Sequence, residues 1–182
     1  MKDFCTCLLA IDLQNGFLSN NTRHVTDRIE LLLSQVSFDL VIFTQFINVL
    51  ESPHRRYLGW DRLSTPEEQD IIPQLSHFAS ISIRKPQYSA LTQDVKEILI
   101  SHQVTQVFLI GLDTDCCVLK SAADLFEMGI RPLVLEYYCA SNGGAQSHEA
   151  ALLVLKRVIG KEQIIYGPLD RKAVLQITRA TE

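Results

Sequence analysis

The sequence has no apolar run long enough to cross a bilayer: stretches such as Val107 to Leu112 are far shorter than the roughly 20 residues a spanning helix needs. The N-terminal residues also lack a basic region followed by an apolar core and a cleavage site, so a soluble, cytoplasmic protein is expected. There is no excess of positive charge. The formal net charge is −4, and no Lys/Arg stripe or aromatic–basic interleaving occurs, which argues against a nucleic-acid partner. Nor do the cysteines form a framework: there are five, an odd number without regular spacing. Cys5 and Cys7 alternate within an apolar segment and read as reduced structural thiols, as in cytosol. Cys116 and Cys117 are neighbours, and a disulfide between them would be strained, so they need another explanation. Repeats, linkers and low-complexity tracts are absent. What remains is an ordinary globular composition, 47% hydrophobic and 21% charged, over 182 residues, read as a single domain, 1–182.

Strand and helix signals alternate along the chain. Phe4 to Asp12 is a short apolar run ending on a carboxylate and meeting a turn at Gln14-Asn15-Gly16, the pattern of a buried parallel strand. Thr22 to Val36 places Val25, Ile29, Leu32, Leu33 and Val36 on one helical face, with Thr22 as the expected cap. Asp39 to Gln45 reads as a second strand. The segment from there to Glu67, with Pro53, Gly59, Trp60 and Pro66, has no regular period and reads as a long functional loop. Ile81 to Lys85 is a third strand, followed by a helix from Thr92 to Ser101 with Val95, Ile98 and Leu99 inward. Val104 to Leu112 is the most apolar strand, and a helix from about Asp115 to Met128 follows it, ending at Gly129. Pro132 to Tyr138 and Gln163 to Tyr166 give two more strands, with a helix from Gln146 to Ile159 between them. This alternation predicts an α/β protein with a parallel sheet covered on both faces.

Asp12, Lys85 and Cys117 each stand at the carboxyl end of a different strand or just beyond it, the edge where open α/β sheets bind ligands. Singly, each has an ordinary explanation as a turn residue, a surface charge or a small buried hydrophobe. Together they supply a proton acceptor, a cation and a nucleophile. A cysteine in the first turn of a helix is expected to be activated by unpaired N–H groups and the dipole. Lys85 would stabilise the thiolate, and Asp12 would take the thiol proton and return it to a leaving group.

Three segments carry a resemblance to a known family. LLAIDLQNGF (Leu8 to Phe17) is similar to a D-x-Q-N-x-F pattern, RKPQYSAL (Arg84 to Leu91) to K-x-x-Y-S-A-F, and GLDTDCCVLKSAADLFEMG (Gly111 to Gly129) to G-x-x-T-D-x-C-V-x-x-T-A-x-D-A. A weaker match follows in ASNGGAQSHEAALLVL (Ala140 to Leu155). In these segments the chain resembles the isochorismatase-like cysteine hydrolases, which include nicotinamidase and N-carbamoylsarcosine amidase. The resemblance implies a three-layer α/β/α, Rossmann-like fold with a six-stranded parallel sheet in the order 3-2-1-4-5-6. It aligns Cys117, rather than Cys116, with the nucleophile and implies the catalytic set Asp12, Lys85 and Cys117. It further implies a cis bond between Leu112 and Asp113, with the backbone N–H groups of Asp113 and Cys117 as the oxyanion hole.

The implied reaction is cleavage of a C–N bond in a small amide or ureido substrate through a Cys117 thioester, without a cofactor, by a homo-oligomer that is a dimer or larger. Two alternatives remain open: vinyl ether cleavage with Asp12 as the acid, and a non-catalytic redox sensor using the Cys116 and Cys117 thiols. Phe17, Phe46, Asn48, Trp60 and Tyr88 lie beside the three motifs and are the expected pocket lining. Departures from the family pattern matter too. Nicotinamidases carry a metal-binding T-x-D-x-H, whereas here Thr44 is followed by Phe46 and Asn48, so no metal is expected and nicotinamidase is disfavoured. His54 and His77 share no metal-ligand spacing. Tyr137 replaces an acidic residue, while Glu136 is retained. Asp113 stands where the family is often neutral; its two readings are attraction of a cationic substrate group and bonding to local backbone.

Overall fold

The chain's computed structural model describes residues 5–179. Six strands, β1 (Cys7–Ile11), β2 (Leu40–Phe46), β3 (Ile81–Lys85), β4 (Gln106–Leu112), β5 (Arg131–Ala140) and β6 (Ile164–Ile165), pair in parallel in the order β3-β2-β1-β4-β5-β6. This is the order that the resemblance implied. Eight helices cover the sheet or its carboxyl edge: α1 (His24–Gln35), α2 (Pro53–Leu58), α3 (Pro66–Gln69), α4 (Pro73–Ser76), α5 (Gln93–Ser101), α6 (Leu119–Glu127), α7 (Gly144–Val158) and α8 (Arg171–Arg179).

Every residue of β1 is buried because successive side chains point to opposite faces and both faces are covered. Cys7, Leu9 and Ile11 pack with Val95 and Leu99 of α5, Ala122 and Leu125 of α6, and Leu152 and Leu155 of α7. Leu8 and Ala10 pack with Val25, Ile29 and Leu32 of α1, Leu75 of α4 and Val174 of α8 on the other side. Each fully buried Leu or Ile contributes about 1.5–3 kcal/mol. The strand order reverses between β1 and β4, so the chain departs in opposite directions there and opens a crevice at their carboxyl ends. Gly111 is required at this point. Its φ is +125°, and a Cβ on it would lie 2.0 Å from the Ile11 carbonyl oxygen across the strand pair.

The structure redraws several expected elements. The first strand starts at Cys7, and Phe4 of the expected run lies outside the described residues. Thr22 does not cap α1; its hydroxyl donates to the Phe17 carbonyl at 2.8 Å and ties the preceding turn. The long loop after β2 contains α2, α3 and α4, each opened by a proline in its first turn, with Ser52 and Thr65 as side-chain caps of α2 and α3. The helix expected from Asp115 to Met128 is two pieces, a π-helical turn over Thr114–Val118 and then α6. α8 was not among the elements read from the sequence.

Candidate active site

Asp12 follows the last residue of β1 in the left-handed region, φ 53°, a conformation that costs a non-glycine residue of order 1 kcal/mol and turns its side chain off the strand's alternation. Its N–H donates to the Thr44 carbonyl at 3.1 Å, and its Oδ1 accepts from Thr44 Oγ1 at 2.8 Å. Gln14 holds the neighbouring strand end: its Oε1 accepts from the Phe46 N–H at 2.7 Å, and its Nε2 donates to the carbonyls of Phe46 at 3.0 Å and Gln69 at 2.8 Å. This is the physical content of the D-x-Q pattern, a carboxylate and an amide that fasten β1 to β2.

Lys85 is fully buried at the end of β3, two strands away from β1, and reaches inward across β2. Its ammonium lies 2.7 Å from Asp12 Oδ2, off the axis of a regular hydrogen bond, and donates to the carbonyls of Gln87 at 2.8 Å and Tyr88 at 3.1 Å. It also lies 3.6 Å from Cys117 Sγ. Cys117, 4% exposed, is carried by the π-helical turn and interacts electrostatically with the Asp12 carboxylate. The loop after Lys85 is tied to this turn through one hydroxyl: the Ala90 N–H donates to Ser121 Oγ at 2.8 Å, and Ser121 Oγ donates to the Cys117 carbonyl at 2.6 Å. The three residues expected to act together are therefore joined at one point, Lys85 touching both Asp12 and Cys117.

Their electrostatics differ from the sequence argument. Cys117 was expected to be activated by the first turn of an α-helix; burial, and then the Asp12 carboxylate, instead push its pKa well above the ordinary thiol value, with Lys85 opposing. Burial raises Asp12 as well, against the pull of Lys85, Cys117 and Thr44, which makes its carboxylate a stronger base. Burial works against the Lys85 ammonium, but Asp12 and Cys117 outweigh it, so its pKa is raised. At rest Cys117 is a thiol beside the Asp12–Lys85 pair.

A cavity of about 350 Å³ opens over Cys117, lined by Phe17, Phe46, Trp60 and Tyr88 as expected, and also by Gly16, His54, Leu58, Arg62, Asp113, Cys116 and Asn142. Asn48 is not among the lining. Its Nδ2 donates to the carbonyls of Trp60 at 2.8 Å and Arg62 at 2.9 Å, and its Oδ1 accepts from Ser52 Oγ at 2.5 Å, so it clasps the loop that carries the lining. Phe46 has no ligating atom and the Asn48 amide is fully engaged, so these positions do not fit a metal ion; no cluster of three or more His, Cys, Asp or Glu occurs among the described residues. His77 is exposed and lies against Phe78.

His54, noted in the sequence only as a histidine without metal-ligand spacing, lines the cavity. It sits on α2 edge-on to Phe46 (4.8 Å between centroids) and Tyr88 (4.7 Å), near Trp60, while Phe17 stacks on Trp60 at 6.0 Å. The bond between Leu112 and Asp113 is cis. Asp113 caps the π-helical turn through its carbonyl, which accepts from the N–H groups of Cys116 and Val118. Behind the turn, Thr114 Oγ1 is 2.8 Å from His148 Nδ1, and His148 Nε2 is 3.4 Å from Glu136. This gives the retained Glu136 a place in bracing the turn against α7. Tyr137 lies under the Arg28 guanidinium, 4.1 Å from its ring centroid, away from the cavity lining.

Residues 6–163 match the family model described as the isochorismatase domain. No curated protein matches the chain. Among solved structures, an isochorismatase-like hydrolase from Alkaliphilus metalliredigens superposes with a TM-score of 0.78 at 19% identity, covering 98% of this chain and 100% of that one. Nicotinamidase from Bacillus subtilis gives 0.73 at 26% identity, covering 88% and 99%. N-carbamoylsarcosine amidase from Thermoplasma acidophilum gives 0.74 at 20% identity, covering 91% and 96%. At 19% and 20%, the first and third of these likenesses are likenesses of fold alone.

Proposed function

Because the chain belongs to the isochorismatase family of hydrolases, we propose that it cleaves a C–N bond of a small amide or ureido substrate through a thioester on Cys117. The observation that carries this reading is the buried contact set behind Cys117, which lines the cavity, with Lys85 2.7 Å from Asp12 and 3.6 Å from Cys117 Sγ. Asp12 takes the Cys117 proton, and the thiolate attacks the substrate carbonyl carbon. The charge that develops on the carbonyl oxygen is met by the backbone N–H groups of Asp113 and Cys117. Protonated Asp12 gives its proton to the departing nitrogen, the C–N bond breaks and a thioester remains. Water then loses a proton to Asp12, adds to the thioester carbon and expels the thiolate, which recovers the proton. The net reaction consumes one water and yields an acid and an amine. Lys85 stays charged throughout and holds Asp12 and the sulfur in register. The aromatic walls exclude water from the attacking sulfur, which strengthens each electrostatic contact.

The structural similarity to a nicotinamidase, at 26% identity, agrees with C–N cleavage. The test is intact-mass analysis of wild-type and Cys117→Ala protein after brief incubation with pooled small amides and ureides. An acyl adduct on the wild type alone is expected. Turnover that survives in Cys117→Ala would overturn the covalent route and favour acid catalysis by Asp12 on a vinyl ether. Reversible oxidation of Cys116 and Cys117 without turnover of any compound would replace the enzymatic reading with a thiol sensor.

A further inference from the structure

The charges of the cavity do not cancel. Behind its lining, fully buried, Asp12 faces Lys85, and Arg62 of the lining lies 3.9 Å from Glu68. Asp113 has no cationic partner among the described residues. Its Oδ1 accepts from the backbone N–H of Asn142 at 3.0 Å and from Asn142 Nδ2 at 2.9 Å, and no described residue donates to its Oδ2. The charged groups that face it are Asp115 and Asp12, which both disfavour its ionised form, and the Cys116 thiol stands beside it. A partly desolvated carboxylate with two acidic neighbours is an arrangement that a bound cation relieves.

A second observation points into the same cavity. His54 is 6% exposed, and neither ring nitrogen has a hydrogen-bond partner among the described residues. Buried polar atoms are nearly always satisfied, so two unpartnered nitrogens on one lining residue leave bonding capacity that a ligand's polar group would complete. Burial, and then Lys85, lower the pKa of this imidazole, so it is neutral at pH 7 and adds no positive charge against a cationic ligand. The rings of Phe17, Phe46, Trp60 and Tyr88 supply the remaining wall, and aromatic faces attract ammonium and amidinium groups.

We propose, on the basis of the hydrolase reading above, that the substrate is a small amide or ureide carrying a cationic nitrogen, bound by Asp113 among these rings, with an uncharged polar group bonded by His54. Asp113 is thus the specificity-determining residue, a role separate from that of its backbone N–H.

Trp60 is the single tryptophan of the sequence, so its fluorescence reports binding in this cavity directly. The test is titration of the protein at pH 8 with benzamidinium, benzamide and benzoate, which share a shape and differ in charge. Benzamidinium is expected to bind at least tenfold more tightly than either of the others. Asp113→Asn is expected to bring it within about threefold of benzamide while leaving benzamide binding unchanged, and His54→Phe to weaken benzamide severalfold. Benzamide or benzoate binding as tightly as benzamidinium to the wild type, or no binding of benzamidinium, overturns the proposal whether or not the variants fold. Retention of the preference in Asp113→Asn overturns it as well. No turnover is involved, so failure here leaves the acyl-enzyme experiment standing, and a missing adduct leaves the charge preference to be judged alone.

Discussion

Replacing Asp113 by Asn should stabilise the protein, and by an amount that depends on pH. Burial, only partly offset by the bonds from Asn142 and reinforced by Asp115 and Asp12, pushes the Asp113 carboxyl up to about 6. In the unfolded chain it titrates near 4. The native state therefore holds its proton more tightly than the unfolded state does, and stability contributed by this group is present at low pH and lost as pH rises from about 4 to about 6. At roughly 1.4 kcal/mol per pH unit, the ionised carboxylate costs the fold about 3 kcal/mol at pH 8 and about half as much at pH 5. Asparagine keeps an oxygen for Asn142 but gives up the charge-assisted strength of those bonds, at about 1 kcal/mol. The expected net gain is about 2 kcal/mol at pH 8, which for a chain of this size raises the midpoint of thermal unfolding by about 4–8 °C. Paired thermal melts of wild type and Asp113→Asn at pH 5, 6, 7 and 8 check this. A variant less stable than wild type at pH 8, or an advantage that does not shrink toward pH 5, would refute the reasoning.

Lys85→Met leaves the Asp12 carboxylate buried and unpaired, so it is expected to cost about 3–5 kcal/mol in urea unfolding, and the double variant Asp12→Asn/Lys85→Met should recover much of that loss. Ser121→Ala removes the hydroxyl that joins Ala90 to Cys117, and an expected loss of about 1–3 kcal/mol should accompany a fall in kcat of about tenfold at nearly constant KM once a substrate is in hand. Gly111→Ala drives a Cβ against the Ile11 carbonyl oxygen, and a loss of more than about 3 kcal/mol, seen as failure to purify folded protein, is expected.

Chemistry and selectivity are encoded in different kinds of sequence, and that difference explains what the sequence disclosed. Buried parallel strands read as apolar runs, so a polar residue at the end of one is conspicuous: Asp12 after Ile11 and Lys85 as the last residue of β3 were found this way. That they meet Cys117 is a property of strand order, which no spacing encodes; it entered through family resemblance, and the sheet then brought the three into contact. The loop after β2 was harder to read because its helices are too short for a 3.6-residue period to appear. Its caps were visible all the same, Ser52 before Pro53 and Thr65 before Pro66 with Glu68 closing a capping box. A capped, proline-started turn would have placed His54 on an ordered helix rather than in open loop. Asn48 was misplaced for the converse reason: proximity to a strand end suggested the cavity, but a side-chain amide is suited to binding backbone, and this one bonds two carbonyls.

Asp113 has a partner that the reading of local bonding did not foresee. One oxygen accepts from the backbone and side-chain N–H groups of Asn142, and the other has no donor among the described residues. Only the structure divides the carboxylate in this way, because Asn142 comes from the far end of β5. The lining therefore draws on separate segments around Phe17, His54 to Arg62, Tyr88, Asp113 and Asn142, none with a period of its own. Substitution within these segments changes what the cavity binds while Asp12, Lys85 and Cys117 keep their contacts. On this arrangement, substrate class should change among proteins of this fold at lining positions such as 54 and 113 before it changes at 12, 85 or 117. Transplanting a neutral residue to position 113 is then the smallest step toward a different substrate.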